Sequence, residues 1–98
     1  MTGYVLFDVQ NVSDEEAFKR YESQVVATTA QFDGVYRVVS GDARALEGTW
    51  DPRFMVLIEF PSRVKAEEWY DSDAYAPLKK IRQSSADCIG VIFSGVGG

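Results

Sequence analysis

An apolar stretch in the second half of the chain decides the fold, and it reads Phe54-Met55-Val56-Leu57-Ile58-Glu59-Phe60-Pro61-Ser62. Residues 54–60 are apolar at every position except Glu59, which is typical of a strand in the core of a sheet. Pro61 has no backbone N–H to give to a strand ladder, and serine at position 62 is a preferred helix N-cap. The stretch therefore predicts a core strand that ends on a carboxylate and leads directly into a helix.

The first forty residues predict a strand, a helix and a second strand. Residues 4–9 are almost wholly apolar and form strand one. Ser13 and Glu16 have the spacing of a capping box, which predicts the start of helix one. An apolar stripe at helical spacing follows at Phe18, Tyr21, Val25, Thr28 or Thr29, and Phe32. Gly34 is placed to end this helix in the left-handed conformation, and residues 35–40 predict strand two.

The last third of the chain predicts a second helix and a fourth strand. Residues 62–70 form the helix, residues 71–73 interrupt it, and Ser72 caps its continuation. Residues 89–93 are apolar and predict strand four. The order βαββαβ is the ferredoxin-like split βαβ arrangement, so we predict one α+β domain over residues 1–98 with a four-stranded antiparallel sheet.

The predicted sheet has two apolar faces, of which its two helices can cover only one. Two helices cover only one face of four strands, yet strands one, three and four are apolar on both faces. An uncovered apolar sheet face usually marks an interface. We therefore expect a homodimer in which two bare faces pack together as a dimeric α/β barrel. The glycine-rich residues 95–98 predict a flexible end.

Charge and composition exclude several classes of partner. The chain has a net charge of −5 and a pI near 4.6. Nucleic acids and anionic membranes both require a basic face, so neither is expected as a partner. No apolar stretch has the length of a membrane span, and the N-terminus lacks the layout of a signal peptide. The single cysteine, Cys88, has no internal partner for a disulfide, so a cytoplasmic location is expected.

The chain contains no histidine. This excludes Ser-His-Asp and Cys-His catalysis, histidine-ligated haem and nearly all catalytic zinc sites. We therefore expect no metal and no cofactor. Any acid–base chemistry must come from Asp, Glu, Tyr, Lys or a group of the substrate.

Four motifs together resemble a known family: Glu47-Gly48-x-Trp50-x-Pro52-Arg53, Glu59-Phe60-Pro61-Ser62, Ala66-x-x-Trp69-Tyr70-x-Ser72-x-x-Tyr75 and Ile81-Arg82. Their spacing is similar to that of the uncharacterised family named domain of unknown function 1330, in the dimeric α/β-barrel superfamily. The resemblance covers essentially the whole chain and implies a ferredoxin-like monomer and a barrel dimer, with no established reaction. Others in that superfamily include cofactor-independent quinol monooxygenases, polyketide-type cyclases, muconolactone isomerase-like enzymes and haem-dependent chlorite dismutase-like proteins.

Strand two departs from the pattern of that family. Relatives tend to read Gly-Arg-Tyr-Leu-x-Arg-Gly-Gly, whereas this chain reads Gly34-Val35-Tyr36-Arg37-Val38-Val39-Ser40-Gly41. Valines replace both basic positions, and we expect Arg37 to lie between Val35 and Val39 on one strand face. If the basic groups bind an anion in relatives, the ligand here differs or carries less charge.

Glu59 and Arg82 are the main candidates for catalysis. Glu59 shares strand parity with Met55 and Leu57, so we expect an apolar setting that raises its pKa and suits it to proton transfer. Arg82 follows Ile81 on a helix and could hold a ligand carboxylate or enolate. The structural alternative is that Arg82 pairs with Glu59 or Asp87, or that Glu59 accepts amides at the following helix start.

Aromatic and basic side chains complete the candidate site. We assign Tyr70 to catalysis with Glu59 and Arg82, and we assign ligand-binding roles to Tyr21, Arg37, Trp50 and Tyr75. Packing in the core is the alternative for the tyrosines. Trp50 could instead anchor a dimer, since tryptophan is enriched at interface hot spots. Cys88 reads as a small buried hydrophobe, and Asp8 as a residue at the end of a strand ladder.

These residues support three functional hypotheses. The first is a cofactor-independent enzyme, resembling a monooxygenase, cyclase or isomerase, that acts on a small aromatic or carbonyl compound. The second is a non-catalytic dimeric module that binds a small molecule. The third is a structural domain in which the cleft is filled. The presence of an open cleft separates the first two from the third.

Overall fold

A computed structural model describes residues 1–96 of the chain. Its elements are β1 (Gly3–Val12), α1 (Glu15–Ala30), β2 (Val35–Ser40), β3 (Met55–Phe60), α2 (Arg63–Tyr70), α3 (Ala76–Ser85) and β4 (Ala86–Ser94). The strands form one antiparallel sheet in the order β2-β3-β1-β4. The predicted α+β ferredoxin-like fold is confirmed. The predicted flexible end, residues 95–98, lies partly outside the described residues.

The N-cap of α1 and the left-handed residue that follows the helix each differ by one residue from the sequence prediction, and the helix itself ends at Ala30, before Phe32. The N-cap is Asp14, whose carboxylate accepts the amide of Ala17 at 3.1 Å. The capping box starting at Ser13 is wrong because the Ser13 hydroxyl instead donates to the carbonyl of Ser85 at 3.1 Å. At the other end Asp33, with φ 61°, takes the left-handed conformation predicted for Gly34. Gly34 is required for space, since a Cβ there would lie 2.8 Å from the Phe60 ring.

Local sequence signals predict the start of α2 correctly but not the cap of α3. Ser62 accepts the amide of Lys65 at 3.1 Å and caps α2. The helix restarts as α3, but its N-cap is Tyr75, so the prediction that Ser72 caps it is wrong. The Ser72 hydroxyl instead accepts the amide of Tyr75 at 3.1 Å, in the turn before α3. The proline of α3 sits in its first turn, where a missing amide costs no hydrogen bond. Within the described residues no helix is long and apolar enough to cross a membrane.

The helices cover one face of the sheet and leave the other open. The covered face carries the core, in which Ile58, Phe60, Trp69 and Tyr75 are almost completely buried. Antiparallel partners share a face, so strand register defines the other side. We call it the bare face, and its apolar members are Tyr4, Leu6, Val35, Val38, Met55, Leu57, Ile89, Val91 and Phe93. The predicted excess apolar face is therefore present.

Candidate functional site

Two clefts open between the helices and the covered face of the sheet. The β4 cleft, of about 580 Å³, lies between β4 and helices α2 and α3, and its walls include Tyr70, Gln83 and Cys88. The α1 cleft, of about 380 Å³, lies between α1 and strands β2 and β3. Both volumes fall within the ~300–1,000 Å³ range of small-molecule sites. Phe7 and Arg82 line both clefts, so these two side chains separate them.

Arg82 is the most unusual side chain of the covered face, because it is a cation that is only 6% exposed. Its Nε donates to the hydroxyl of Tyr75 at 3.2 Å, and its guanidinium carbon lies 4.6 Å from the centre of the Phe7 ring. It also contacts the thiol of Cys88. None of the ion pairs within residues 1–96 includes Arg82. The predicted pairing of Arg82 with Glu59 or Asp87 is therefore wrong.

Two buried tyrosines hold the guanidinium in place. The hydroxyls of Tyr21 and Tyr75 lie 2.9 Å apart, and the second accepts the Nε proton of Arg82. Burial raises the pKa of both phenols above the ordinary value for tyrosine. Burial also disfavours a charged Arg82, but the neighbouring phenol oxygens outweigh this and raise the pKa of the guanidinium. The group is thus a permanent cation beside neutral phenols, which can position it but cannot act as bases at neutral pH.

The β4 cleft brings together two of the three predicted catalytic residues. Tyr70 and Arg82 line it, and its other lining residues include the acidic residues Glu67, Asp71 and Asp87. The ammonium of the neighbouring Lys79 lies 4.0 Å from the Tyr70 ring centre, a cation–π contact. Cys88 lines this cleft and is half-buried, so its prediction as a buried hydrophobe is wrong. The cleft therefore combines one buried cation with several acidic residues.

Glu59 lies on the bare face, away from both clefts. Its carboxylate accepts the Tyr4 hydroxyl at 3.0 Å and the Arg37 guanidinium at 3.1 Å. These hydrogen bonds, that from Arg37 first, lower the pKa of Glu59, so the predicted raised pKa is wrong. The prediction that Glu59 shares a cleft with Arg82 is also wrong. Glu59 has opposite strand parity to the buried residues Ile58 and Phe60, so the sheet lies between it and the helices. An acid–base role for Glu59 stays a prediction.

A bulge in β2 places Arg37 beside Glu59. The register of β2 against β3 shifts between Tyr36 and Val38, so Val35 lies opposite Glu59 whereas Val39 lies opposite Val56 on the covered face. A bulge inserts one unpaired residue and reverses the side on which the following residues point. The prediction that Arg37, Val35 and Val39 share one strand face is therefore wrong for Val39.

Asp8 anchors the long loop of residues 41–54, a larger role than that of a residue at the end of a strand ladder. It is 1% exposed and accepts the Trp50 indole at 2.7 Å and the amides of Arg53 and Phe54 at 3.0 Å each. The Gln10 amide also donates to it. Burial raises the pKa of Asp8, but these four hydrogen bonds together lower it. The sequence feature that points to this role is a single carboxylate within an otherwise apolar strand.

The seven predicted site residues therefore divide between four places. Tyr70 and Arg82 meet in the β4 cleft, Tyr21 meets Arg82 in the α1 cleft, and Tyr75 joins the two from within the core. The remaining three, Arg37, Trp50 and Glu59, lie on the bare-face side. Across residues 1–96, no three side chains of the Cys, His, Asp or Glu type are grouped to hold a metal ion.

Comparison with known proteins identifies a family and supports the fold. The family model described as Domain of unknown function (DUF1330) matches residues 2–96. No curated protein matches the chain. A protein of unknown function from Rhodopseudomonas palustris is similar in structure, with 16% identity, a TM-score of 0.78, and coverage of 99% of this chain and 84% of that one.

Two further solved structures share the fold at low identity. A dimeric ferredoxin-like protein of unknown function from Jannaschia sp. has 10% identity and a TM-score of 0.65, covering 97% of this chain and 100% of that one. SnoaB, a cofactor-independent oxygenase from Streptomyces nogalater, has 12% identity and a TM-score of 0.58, covering 99% and 93%. At such identities the likeness extends to the fold alone.

Proposed function

The chain belongs to the family described as Domain of unknown function (DUF1330), and from that premise we propose that it is a homodimeric, cofactor-independent enzyme of the monooxygenase type. Its substrate is a small aromatic compound that carries a hydroxyl oxygen and binds in the β4 cleft with that oxygen on Arg82. The observation that carries this proposal is the buried guanidinium of Arg82, which lines an open cleft and has no carboxylate partner within residues 1–96.

A buried cation without a counter-ion favours a ligand that supplies one. Taking a charge out of water costs several kcal/mol, and a facing negative oxygen offsets that cost. A phenol bound on Arg82 has its ionised form stabilised, so its pKa falls. Glu67 and Asp71, two acidic residues that line the same cleft, are the candidate acceptors of its proton. Tyr75 acts as a positioning residue, because it fixes the guanidinium through Nε.

In the proposed reaction the resulting phenolate reduces O₂ directly. The original hydroxyl oxygen becomes one carbonyl oxygen of the ring, and one oxygen atom of O₂ becomes the other carbonyl oxygen. The second oxygen atom of O₂ leaves as water with the two hydrogens that the phenol loses, so a quinone and water form from one phenol and one O₂. The description of SnoaB as a cofactor-independent oxygenase supports this reaction type by analogy of fold.

The homodimer is proposed from the bare face. Five of its apolar side chains are large and exposed, namely Val35, Val38, Ile89, Val91 and Phe93. Its charges are already paired within the chain, since Arg37 binds Glu59 and Asp8 accepts four hydrogen bonds. A second copy can therefore cover this face without burying an unpaired charge, in a two-fold contact. The similar protein from Jannaschia sp. is described as dimeric, which supports a dimer.

A cytoplasmic location is part of the same proposal. Cys88 is a free, half-buried thiol that lines the β4 cleft and touches Arg82. A reducing compartment keeps such a thiol in this state.

The test is oxygen uptake with 1-naphthol, followed by the absorbance of the quinone product. We expect turnover by the wild type, and Arg82→Gln should lower kcat/KM by about a hundredfold or more, as loss of an oxyanion partner does elsewhere. Arg44→Gln is the matched control, because Arg44 is exposed and lines neither cleft. Equal turnover by wild type and Arg82→Gln would refute the catalytic role.

The same experiment separates the enzyme from a binding module. Saturable quenching of tryptophan fluorescence by 1-naphthol without oxygen uptake would favour the second function, a non-catalytic dimeric module that binds a small molecule. Neither uptake nor quenching, across a panel of hydroxynaphthalenes, would exclude the β4 cleft as a site for this class of compound.

A further inference from the structure

The α1 cleft is a second cavity with its own chemistry. Its walls are mainly apolar and include Phe18, Val25, Val26, Tyr36, Val39 and Val56. The only charged side chains among them are Glu22 and Arg82. The β4 cleft differs, because its lining also includes the acidic residues Glu67 and Asp71.

The exposure of the lining side chains shows which end of the α1 cleft is its mouth and which is its inner end. Val26 and Val39 are 55% and 62% exposed, so they lie at the mouth, and Glu22 is exposed as well. Arg82 is 6% exposed and therefore lies at the inner end. The cleft thus leads from an apolar mouth, along apolar walls, to a buried cation that lacks a carboxylate partner within residues 1–96.

We propose that the α1 cleft binds an apolar monocarboxylate, with its hydrocarbon body along the valine and aromatic walls and its carboxylate on Arg82. This site goes beyond the proposed reaction, because it lies on the other side of Arg82 from the β4 cleft and requires no turnover. A carboxylate is favoured over a neutral head group because charge-assisted hydrogen bonds to a guanidinium are about twice as strong as neutral ones. The α1 cleft suits such a ligand better than the β4 cleft does, because its mainly apolar walls can hold the hydrocarbon body.

Calorimetric titration with sodium octanoate tests the charge. The wild type should bind octanoate saturably with one molecule per chain. Octan-1-ol has the same hydrocarbon chain without the charge, and it should bind to the wild type at least about tenfold more weakly than octanoate does. Octanoate should also bind to the Arg82→Gln variant at least about tenfold more weakly than to the wild type. Equal affinity for octanoate and octan-1-ol would overturn the assignment of the head group to Arg82.

Blocking variants test the place. Val26→Trp fills the mouth of the α1 cleft and should weaken octanoate binding at least about tenfold, whereas Val64→Trp should not. Val64 is a matched control because it is exposed on α2 and lines neither cleft. Val39→Trp, on β2, is a second blocking variant, so the test does not depend on the correct folding of Val26→Trp alone. Circular dichroism verifies that both variants are folded.

A third substitution separates this proposal from the reaction in the β4 cleft. Gln83 is exposed and lines only the β4 cleft, so Gln83→Trp should impair oxygen uptake with 1-naphthol and leave octanoate binding intact. Loss of octanoate binding in Gln83→Trp but not in Val26→Trp would place the ligand in the β4 cleft and overturn the inference. Absence of octanoate binding to the wild type would also overturn it, while the reaction is judged separately by oxygen uptake.

Discussion

At the scale of single residues, the structure is most dependent on a buried carboxylate. Asp8 accepts two backbone amides, an indole N–H and a side-chain amide, and so ties the loop of residues 41–54 to β1. We expect Asp8→Asn to lower the free energy of unfolding by about 1–3 kcal/mol, because the new NH₂ group would face N–H donors. Urea unfolding measures this change. Asp51→Asn is the control: its pair with Arg53 is exposed and should contribute about 0–1 kcal/mol.

The same residue predicts a dependence of stability on pH. The pKa of Asp8 is lower in the folded chain than in the unfolded chain. The contribution of Asp8 to the free energy of unfolding is therefore fully present at a pH above its pKa in the unfolded chain, about 4. This contribution is lost as the pH falls through the pKa of Asp8 in the folded chain. The difference in unfolding free energy between wild type and Asp8→Asn should shrink below pH 4. A difference that stays constant down to pH 2 would contradict this explanation.

At the scale of elements, the sheet and α2 meet through a residue without a side chain. A Cβ on Gly3 would lie 2.5 Å from the backbone N and Cα of Arg63, at the start of α2. Backbone atoms cannot move aside as a flexible side chain can, so β1 and the helix would have to separate. We expect Gly3→Ala to destabilise the fold by about 1–3 kcal/mol in urea unfolding.

A second glycine provides the comparison for that substitution. A Cβ on Gly41 would lie 3.4 Å from the Phe54 ring, which is ordinary contact, so Gly41→Ala should change stability far less. If Gly3→Ala were as stable as Gly41→Ala, the close approach of β1 to α2 would not be important for stability.

At the scale of the whole molecule, the proposed dimer rests on the bare face. Leu57 lies in β3, one of the two central strands, and faces this side. Leu57→Asp would place an unpaired carboxylate in the proposed interface from each copy, at a cost of several kcal/mol per ion. We expect the variant to be a monomer in sedimentation velocity, whereas Val64→Asp on the exposed side of α2 should remain a dimer. A dimeric Leu57→Asp would place the interface elsewhere.

Elements with local signals were predictable from the sequence. Ser62 caps α2 through the amide of Lys65, and the apolar runs of β1, β3 and β4 form strands with small differences at their ends. Such signals involve neighbours in sequence, so the chain itself contains all the information they need. The order βαββαβ and the excess apolar face follow from these local features together.

The positions of the functional side chains depended on long-range packing. The sequence correctly placed Glu59 with Met55 and Leu57, but not which face of the sheet the helices would cover. The bulge at Arg37 likewise arises from pairing between β2 and β3.

The sequence by itself thus determined the elements of this protein, their order and the absence of histidine chemistry, because each depends on composition or on residues close in the chain. Only the tertiary structure decided that Arg82 is a buried cation between two clefts and that Glu59 lies on the other side of the sheet. The physical reason is that burial and charge pairing are set by residues far apart in sequence, which the fold alone brings together.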